Sequence, residues 1–143
     1  MHSLENITVI IVTYLTQKDV LINCLNSIDN RVKIKIVENS QNFKLKNEIL
    51  SNFNNVEIFC TGENLGYGKG NNFGLRLTET DYALILNPDV TCDTDFFSNI
   101  TEVLKGTEDF TIIGCQYQKD KIFLPAGFFD KKKKSGICKK VPK

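Results

Sequence analysis

The sequence predicts an α/β protein, a three-layer α/β/α sandwich with a mostly parallel sheet. Short β-branched apolar runs alternate along the chain with segments of helical periodicity, as in sheets that carry helices on both faces. The run Ile7–Thr13 is almost continuously apolar, which is typical of a strand buried on both faces. The length of 143 residues fits one domain of ordinary size.

The first half of the chain alternates three strands with two helices. The second strand is predicted around Ile34, Ile36 and Val37, and the third at Val56–Cys60. The first helix is predicted by apolar residues at helical spacing, namely Leu21, Ile22, Cys24, Leu25 and Ile28. The second is predicted in the same way by Leu45, Ile49, Leu50 and Phe53.

The second half begins with a polar, glycine-rich loop at residues 61–70, followed by a short helix at 72–77. Tyr82–Leu86 is again apolar without interruption and predicts a fourth strand. Asp93 or Thr94 can cap a helix that runs to about Lys105. Its inward residues are expected to be Phe96, Phe97, Ile100 and Leu104. A fifth strand at 111–117 completes an α/β domain over residues 1–118.

Residues 119–143 show no pattern that assigns a further helix or strand. We expect an irregular apolar segment, exposed around residues 122–129, and then a basic tail. The chain carries a net charge of −6 up to Asp130 and +7 over its last 13 residues. Such a tail can contact anionic lipid, which would make the protein membrane-peripheral, although a solvated segment is the simpler interpretation. We expect no nucleic-acid partner.

Composition excludes several classes of protein. Hydrophobic residues make up 41% and charged residues 24%, close to globular averages, which argues against disorder, collagen-like repeats and coiled coils. There is no apolar run of membrane-spanning length and no secretory leader pattern, so a cytoplasmic location is expected. The five cysteines form no C-x-x-C pair and there is one histidine. We therefore expect reduced thiols and no zinc cluster.

Polar side chains follow each predicted strand. Thr13 and Tyr14 end the first strand, and Glu38 and Asn39 follow the second. The glycine-rich segment follows the third, and residues 87–90 follow the fourth. Ligands of open α/β sheets bind beyond the carboxyl ends of the strands, so these segments are the candidate site.

The glycine-rich segment is the most informative of them. Its candidate ligand contacts are Asn64, Gly66, Gly68, Lys69, Asn71 and Asn72. Glycines allow close approach of the backbone, and a lysine can neutralise a phosphate. The segment is neither a Walker loop, which needs Ser or Thr where Gly70 stands, nor a Rossmann fingerprint, which follows the first strand.

The sequence Asn87-Pro88-Asp89 ends the fourth strand with a rigid turn and one carboxylate. Mg²⁺ is often held by one or two protein carboxylates together with substrate phosphates. We expect Asp89 to lie at the end of a central strand, with its carboxylate in an open cleft.

In combination, these motifs resemble glycosyltransferase family 2, and most closely its rhamnosyltransferase-like branch, which has the GT-A fold. The resemblance covers about residues 7–117 and is carried in order by residues 7–14, 24–28, 36–40, 64–72 and 86–90. It implies a Rossmann-like nucleotide-binding half that takes a nucleotide-diphosphate sugar. It also implies sugar transfer to a glycan or lipid-linked acceptor in polysaccharide biosynthesis.

The resemblance also implies roles for individual residues. Thr13 and Tyr14 would line the base and ribose pocket, and Glu38, where Asp is commoner, would contact the base beside Asn39. The glycine-rich segment would lie along the nucleotide and donor sugar. Asn87 replaces the first Asp of the Asp-x-Asp motif, which leaves Asp89 to bind Mg²⁺ or Mn²⁺.

The acceptor site and catalytic base of the family have no counterpart in the sequence, so we expect an incomplete chain and assign no catalytic residue. Activity is therefore an open question. One alternative is a non-catalytic nucleotide-binding or scaffold module that works with a partner chain. Another is a nucleotidyltransferase, which would need a glycine-rich basic loop at residues 14–17, where there is no glycine.

Overall fold

The computed structural model describes residues 3–106 and 112–115 in full, together with the backbone of four short strands further along. Strands and helices alternate in its first part, after a 3₁₀ turn at Leu4–Asn6. The elements are β1 (Ile7–Thr13), α1 (Lys18–Asn26), β2 (Lys33–Glu38), α2 (Lys46–Asn52), β3 (Val56–Cys60), α3 (Gly66–Arg76), β4 (Tyr82–Leu86) and α4 (Phe96–Gly106). Among the described residues, no helix combines the length and apolar character needed to cross a membrane.

The first four strands form one parallel sheet in the order β3-β2-β1-β4. Thr13 is in register with Glu38 on one side of β1, and Ile11 is in register with Leu86 on the other. All four carboxyl ends therefore lie at one edge of the sheet. The predicted α/β architecture with a mostly parallel sheet is confirmed.

One face of this sheet has a buried apolar centre. Val9, Ile11 and Ile36 are 0% exposed, and Ile34 is 1% exposed. The right-handed crossover rule places α1 and α2 together on one face, because they connect strands that advance in the same direction. Their buried residues are Leu21, Cys24, Leu25 and Ile49.

The opposite face packs against α3, which comes unusually close to the strands. A Cβ atom added at Gly74 would lie 2.5 Å from Cγ2 of Ile10, and one added at Gly70 would lie 2.8 Å from Cγ1 of Val12. The two glycines are one helical turn apart and face the same way. They let the helix backbone lie directly on β1.

Two sequence expectations in this region are wrong in detail. The predicted loop at 61–70 ends early, because the helix expected at 72–77 already begins at Gly66. The strand β4, expected to be central, is an edge strand of the four described parallel strands. Ala83 and Ile85 on β4 are exposed, since α3 packs on β1 and β2.

The chain divides into two compact units, Met1–Thr101 and Glu102–Lys143. The boundary predicted from the sequence was at residue 118. The second unit contains β5 (Ile112–Gly114), β6 (Tyr117–Lys119), β7 (Ile122–Leu124), β8 (Gly127–Phe129) and β9 (Gly136–Ile137).

The fifth strand predicted at 111–117 is wrong in its bounds, because β5 covers only Ile112–Gly114. This strand pairs antiparallel with β8 in a separate sheet. The strands β6 and β7 also pair antiparallel. Three-residue strands carry too little periodicity to be predicted, so residues 119–143 appeared patternless. The side chains of residues 122–129 and the lysine tail lie outside the described residues.

Candidate functional site

The strand order creates a crevice between β1 and β4. The chain leaves β1 toward β2 on one side, while β4 arrives from β3 on the other side. In open α/β sheets this reversal separates the loops at the carboxyl ends of the two neighbouring strands, and ligands bind there. Topology alone therefore marks the ends of β1 and β4 as the binding position.

A cleft of about 490 Å³ occupies that position. It is lined by Val12, Tyr14, Thr16, Val20, Tyr67, Asn87, Pro88 and Asp89. The lining of the cleft combines two aromatic rings, an amide and a carboxylate with apolar side chains. Such a mixture suits a ligand that has both a planar ring and polar groups.

Tyr14 follows β1 and is 50% exposed. The next residue, Leu15, has a φ of 51°, the left-handed conformation, which costs a non-glycine residue about 1 kcal/mol. This backbone conformation turns the chain sharply at the end of β1, next to the cleft. Strained residues of this kind concentrate at ligand sites.

The sequence after β4 forms a tight turn. The Val90 N–H donates to the Asn87 carbonyl oxygen at 3.2 Å, and Pro88 occupies the position where proline favours a turn. The Cys24 thiol on α1 lies 3.7 Å from the same carbonyl oxygen. Burial raises the pKa of that thiol to about 12, with smaller contributions from Cys92 and Asp89. The turn is thus anchored to α1, and Asn87 and Asp89 are exposed at the cleft.

Glu38 lies behind the cleft rather than in its wall. It is 1% exposed, and both of its carboxylate oxygens accept hydrogen bonds. The Thr13 hydroxyl donates to Oε2 at 2.6 Å and the Ser40 N–H donates to Oε1 at 2.8 Å. The carboxylate therefore ties the ends of β1 and β2 together.

Asn39 is also buried, at 1% exposure, and extends the same network. Its N–H donates to the Thr13 carbonyl oxygen at 2.8 Å, and its Nδ2 donates to the Gly66 carbonyl oxygen at 3.3 Å. The Thr61 hydroxyl lies 3.2 Å from Asn39 Oδ1. Asn39 thereby connects the sheet edge to the start of α3.

The glycine-rich segment forms the entry to α3 and its first turns. Asn64 Oδ1 accepts a hydrogen bond from the Gly66 N–H at 2.9 Å, and Gly66 has a φ of 76°, which favours glycine. Gly68, Lys69 and Asn72 are exposed on the helix.

Asn71, on the same helix, is 5% exposed. Its Nδ2 donates to the Tyr67 carbonyl oxygen at 3.1 Å. Its Oδ1 is buried without a hydrogen-bond partner in the described part of the chain. Asn71 therefore belongs to the interior of the helix packing and not to the cleft wall.

The structure brings together only some of the predicted site residues. Tyr14, Asn87 and Asp89 share the cleft, whereas Thr13, Glu38 and Asn39 are buried behind it. Tyr67 was not among the predicted site residues, although this tyrosine lies inside the glycine-rich segment. The aromatic side chain between two glycines was the feature of the sequence that could have indicated Tyr67 as a site residue.

Asp89 is the single acidic residue among those that line the cleft. No group of three or more His, Cys, Asp or Glu side chains converges as a metal cage within the described residues. One exposed carboxylate suits Mg²⁺, which takes much of its coordination from substrate phosphates and water. It does not suit a metal held by protein alone.

A parallel sheet with a cleft at its topological switch point defines an open, doubly wound α/β protein. The sequence profile described as Glycosyl transferase family 2 matches residues 8–129. The chain therefore belongs to glycosyl transferase family 2.

One relative agrees with this membership, and two solved structures show a similar fold. The chain is 25% identical over 114 residues to the "Low-salt glycan biosynthesis hexosyltransferase Agl10" of Haloferax volcanii, covering 77% of this chain and 36% of that protein. Its fold is similar to that of TarS 1-349 from S. aureus (TM-score 0.60, 21% identity). It is equally similar to TarS 1-349 in complex with UDP (TM-score 0.60, 16% identity). Both structural matches cover 70% of this chain and 32% of the other, so the chain spans about a third of the length of these relatives.

Proposed function

We propose that this chain binds a nucleotide-diphosphate sugar in the cleft between β1 and β4, as the donor-binding portion of a glycosyltransferase. The observation that carries this proposal is the position of the Asn87–Asp89 turn at the topological switch point. Family membership and the complex of the TarS neighbour with UDP support it.

The base end of the ligand would meet Tyr14. A base stacked on an exposed aromatic ring gains about 1–3 kcal/mol, and the half-exposed Tyr14 ring leaves a face for it. Thr13, Glu38 and Asn39 would support this pocket from behind, because their hydrogen bonds are made within the protein. This assigns them to the shape of the pocket and not to contact with the base.

The diphosphate end would lie toward α3 and the turn after β4. The positive end of a helix dipole favours anions, and α3 begins at Gly66. Lys69, exposed near the start of that helix, adds a full positive charge. The neighbouring residues Asn64, Gly68 and Asn72 would lie along the nucleotide and donor sugar, whereas Asn71 would act through helix packing.

Asp89 would hold a divalent cation, Mg²⁺ or Mn²⁺, shared with the diphosphate. A cation bound there would neutralise charge on the leaving diphosphate. The residues fit such an ion, because one exposed carboxylate leaves most of the coordination to phosphate oxygens.

In the proposed reaction, an acceptor hydroxyl attacks the anomeric carbon while the bond from that carbon to the diphosphate breaks. A base removes the proton of the hydroxyl. We assign this base to no residue of the chain. A glycan or lipid-linked acceptor is proposed, with support from the Haloferax relative, which is named as a hexosyltransferase of glycan biosynthesis.

The proposal is tested by calorimetric titration of the full chain with UDP, GDP and dTDP, each with Mg²⁺, with Mn²⁺ and with EDTA. We expect binding of at least one nucleotide that tightens at least tenfold with metal. Asp89→Asn should remove this metal-dependent gain, because it removes the charge that holds the cation.

The matched control is Asp95→Asn, which makes the same charge change at an exposed position outside the cleft. This variant should bind as the natural chain does. Failure of the natural chain to bind any of the three nucleotides would overturn the proposed function. Equal loss of metal dependence in both variants would overturn the assignment of the cation to Asp89.

A further inference from the structure

Tyr67 and Asn87 close one side of the cleft by joining two elements that are distant in sequence. Tyr67 is the second residue of α3 and is 53% exposed, while Asn87 follows β4. The Tyr67 hydroxyl donates to Asn87 Oδ1 at 2.6 Å. Both residues line the cleft, so this hydrogen bond lies at the surface of the protein that a bound ligand would contact.

The hydrogen bond fixes which end of the Asn87 amide is engaged. An amide has one oxygen that accepts and one NH₂ group that donates. The oxygen is engaged by the Tyr67 hydroxyl, and Nδ2 makes no recorded hydrogen bond within the described residues. The NH₂ group is thus left to donate to a ligand in the cleft.

The neutral amide also has an electrostatic consequence. Asp89, two residues further along the same turn, already brings one negative charge to the cleft. A second carboxylate at position 87 would repel a diphosphate, whereas an NH₂ donor attracts its oxygens. Asp89 would therefore hold the cation, and the Asn87 NH₂ group would donate directly to the nucleotide.

We propose that Tyr67 is a positioning residue that holds the Asn87 amide with its NH₂ group toward an oxygen of the bound nucleoside diphosphate. This proposal rests on the proposed nucleotide-binding function and deepens it. It defines a contribution to affinity that is independent of metal, separate from the contribution of Asp89.

The test measures the affinity of the full chain for the nucleoside diphosphate that it binds best, in EDTA and in Mg²⁺. Asn87→Ala should weaken binding about tenfold in both conditions, because a hydrogen bond to a charged oxygen is lost. Tyr67→Phe should weaken it about threefold to tenfold in both conditions. In both variants, the ratio of the affinity in Mg²⁺ to the affinity in EDTA should equal that of the natural chain. Asp89→Asn should instead remove the difference in affinity between the two conditions.

Two further variants separate positioning from a general structural effect. The double variant Tyr67→Phe/Asn87→Ala should bind as Asn87→Ala does, because Tyr67 acts only through the amide. Asn87→Asp keeps an acceptor for the Tyr67 hydroxyl but removes the NH₂ donor, and it should therefore bind more weakly in EDTA than the natural chain.

The matched control is Tyr82→Phe, which deletes the same hydroxyl at the amino end of β4, opposite the cleft, and should leave affinity unchanged. Unchanged affinity of Tyr67→Phe in a chain that binds nucleotide would overturn this inference alone. Losses of affinity that add up in the double variant would also overturn it. The same holds if Asn87→Asp binds the nucleotide in EDTA as tightly as the natural chain does. If the natural chain binds no nucleoside diphosphate, the proposed function fails and this inference falls with it.

Discussion

At the residue scale, burial decides what the Glu38 carboxylate contacts. Its side chain accepts from the Thr13 hydroxyl and the Ser40 N–H and is 1% exposed. The family resemblance implied that Glu38 contacts a base. In the structure its hydrogen bonds are made within the protein, and the Tyr14 ring provides the exposed surface instead.

The cysteines differ sharply in their environments. We expect Cys24 to resist iodoacetamide in the folded chain at pH 8, while Cys60 is alkylated. Cys24 is 0% exposed, and burial raises its pKa to about 12, so about one thiol in 10⁴ is ionised at pH 8. Only the thiolate reacts, whereas Cys60 is exposed.

Mass spectrometry of the labelled peptides checks this expectation. The denatured chain provides the control, because both cysteines should be alkylated once the burial of Cys24 is lost. Labelling of Cys24 at the rate of Cys60 in the folded chain would contradict the packing of α1 on the sheet.

At the element scale, alanine substitutions at two glycines of α3 should change stability in opposite directions. We expect Gly74→Ala to lower the free energy of unfolding by about 1–3 kcal/mol, because its Cβ would lie 2.5 Å from Ile10 Cγ2. Gly68→Ala is the matched control, since nothing lies within 4 Å of its added Cβ. It should raise stability by about 0.5–1 kcal/mol, as alanine favours the helix.

Urea unfolding of the two variants beside the natural chain measures both effects. A Gly74→Ala variant as stable as Gly68→Ala would show that α3 does not lie as close to β1 as the structure places it.

The same helix shows how far the sequence could predict the elements. The strand β1 was predictable because it is an apolar run, and β2 because Ile34, Ile36 and Val37 are apolar. Their pairing in parallel followed from the alternation with helices. The start of α3 at Gly66 was not, because four glycines oppose a helix by local propensity. Packing of Gly70 and Gly74 on β1 overrides that propensity, and no local pattern reports it.

The candidate site was predictable to a similar extent. Asp89 and Tyr14 were found because each follows an apolar strand, and parallel strands end at one edge. Tyr67 was missed because its role depends on a hydrogen bond to Asn87, twenty positions away. Thr13 and Glu38 were correctly brought together, but their burial depends on packing that periodicity does not report.

At the scale of the whole molecule, stability should depend on pH through the Asp29–Arg31 pair. Side-chain hydrogen bonds from Arg31 at 2.7 and 2.9 Å lower the pKa of Asp29 to about 2. Since the ordinary value is about 3.9, ionised Asp29 stabilises the folded state above that pH. This contribution is lost as pH falls through about 2.

Arg31→Met should therefore lower the free energy of unfolding at pH 6, and only slightly, because solvent screens this exposed pair. The deficit should shrink as pH falls from 4 toward 2, as measured by urea unfolding at each pH. Arg76→Met, which removes the other arginine, should give a difference that does not follow this profile. A constant Arg31→Met deficit down to pH 2.5 would contradict the shifted pKa.

The pairing of β1 with β4 has a consequence for the order of folding. Asn6 and Asp81, hydrogen-bonded at the amino ends of these strands, are 75 positions apart. Closing so long a loop is slow, because its entropy is lost before the contacts form. We therefore expect the two walls of the cleft to meet in a late step, after β1, β2 and β3 can pair with nearer partners. During synthesis, the proposed ligand site would be complete only once residue 89 has emerged. A ligand bound there would then stabilise the four-stranded sheet but not the three-stranded one.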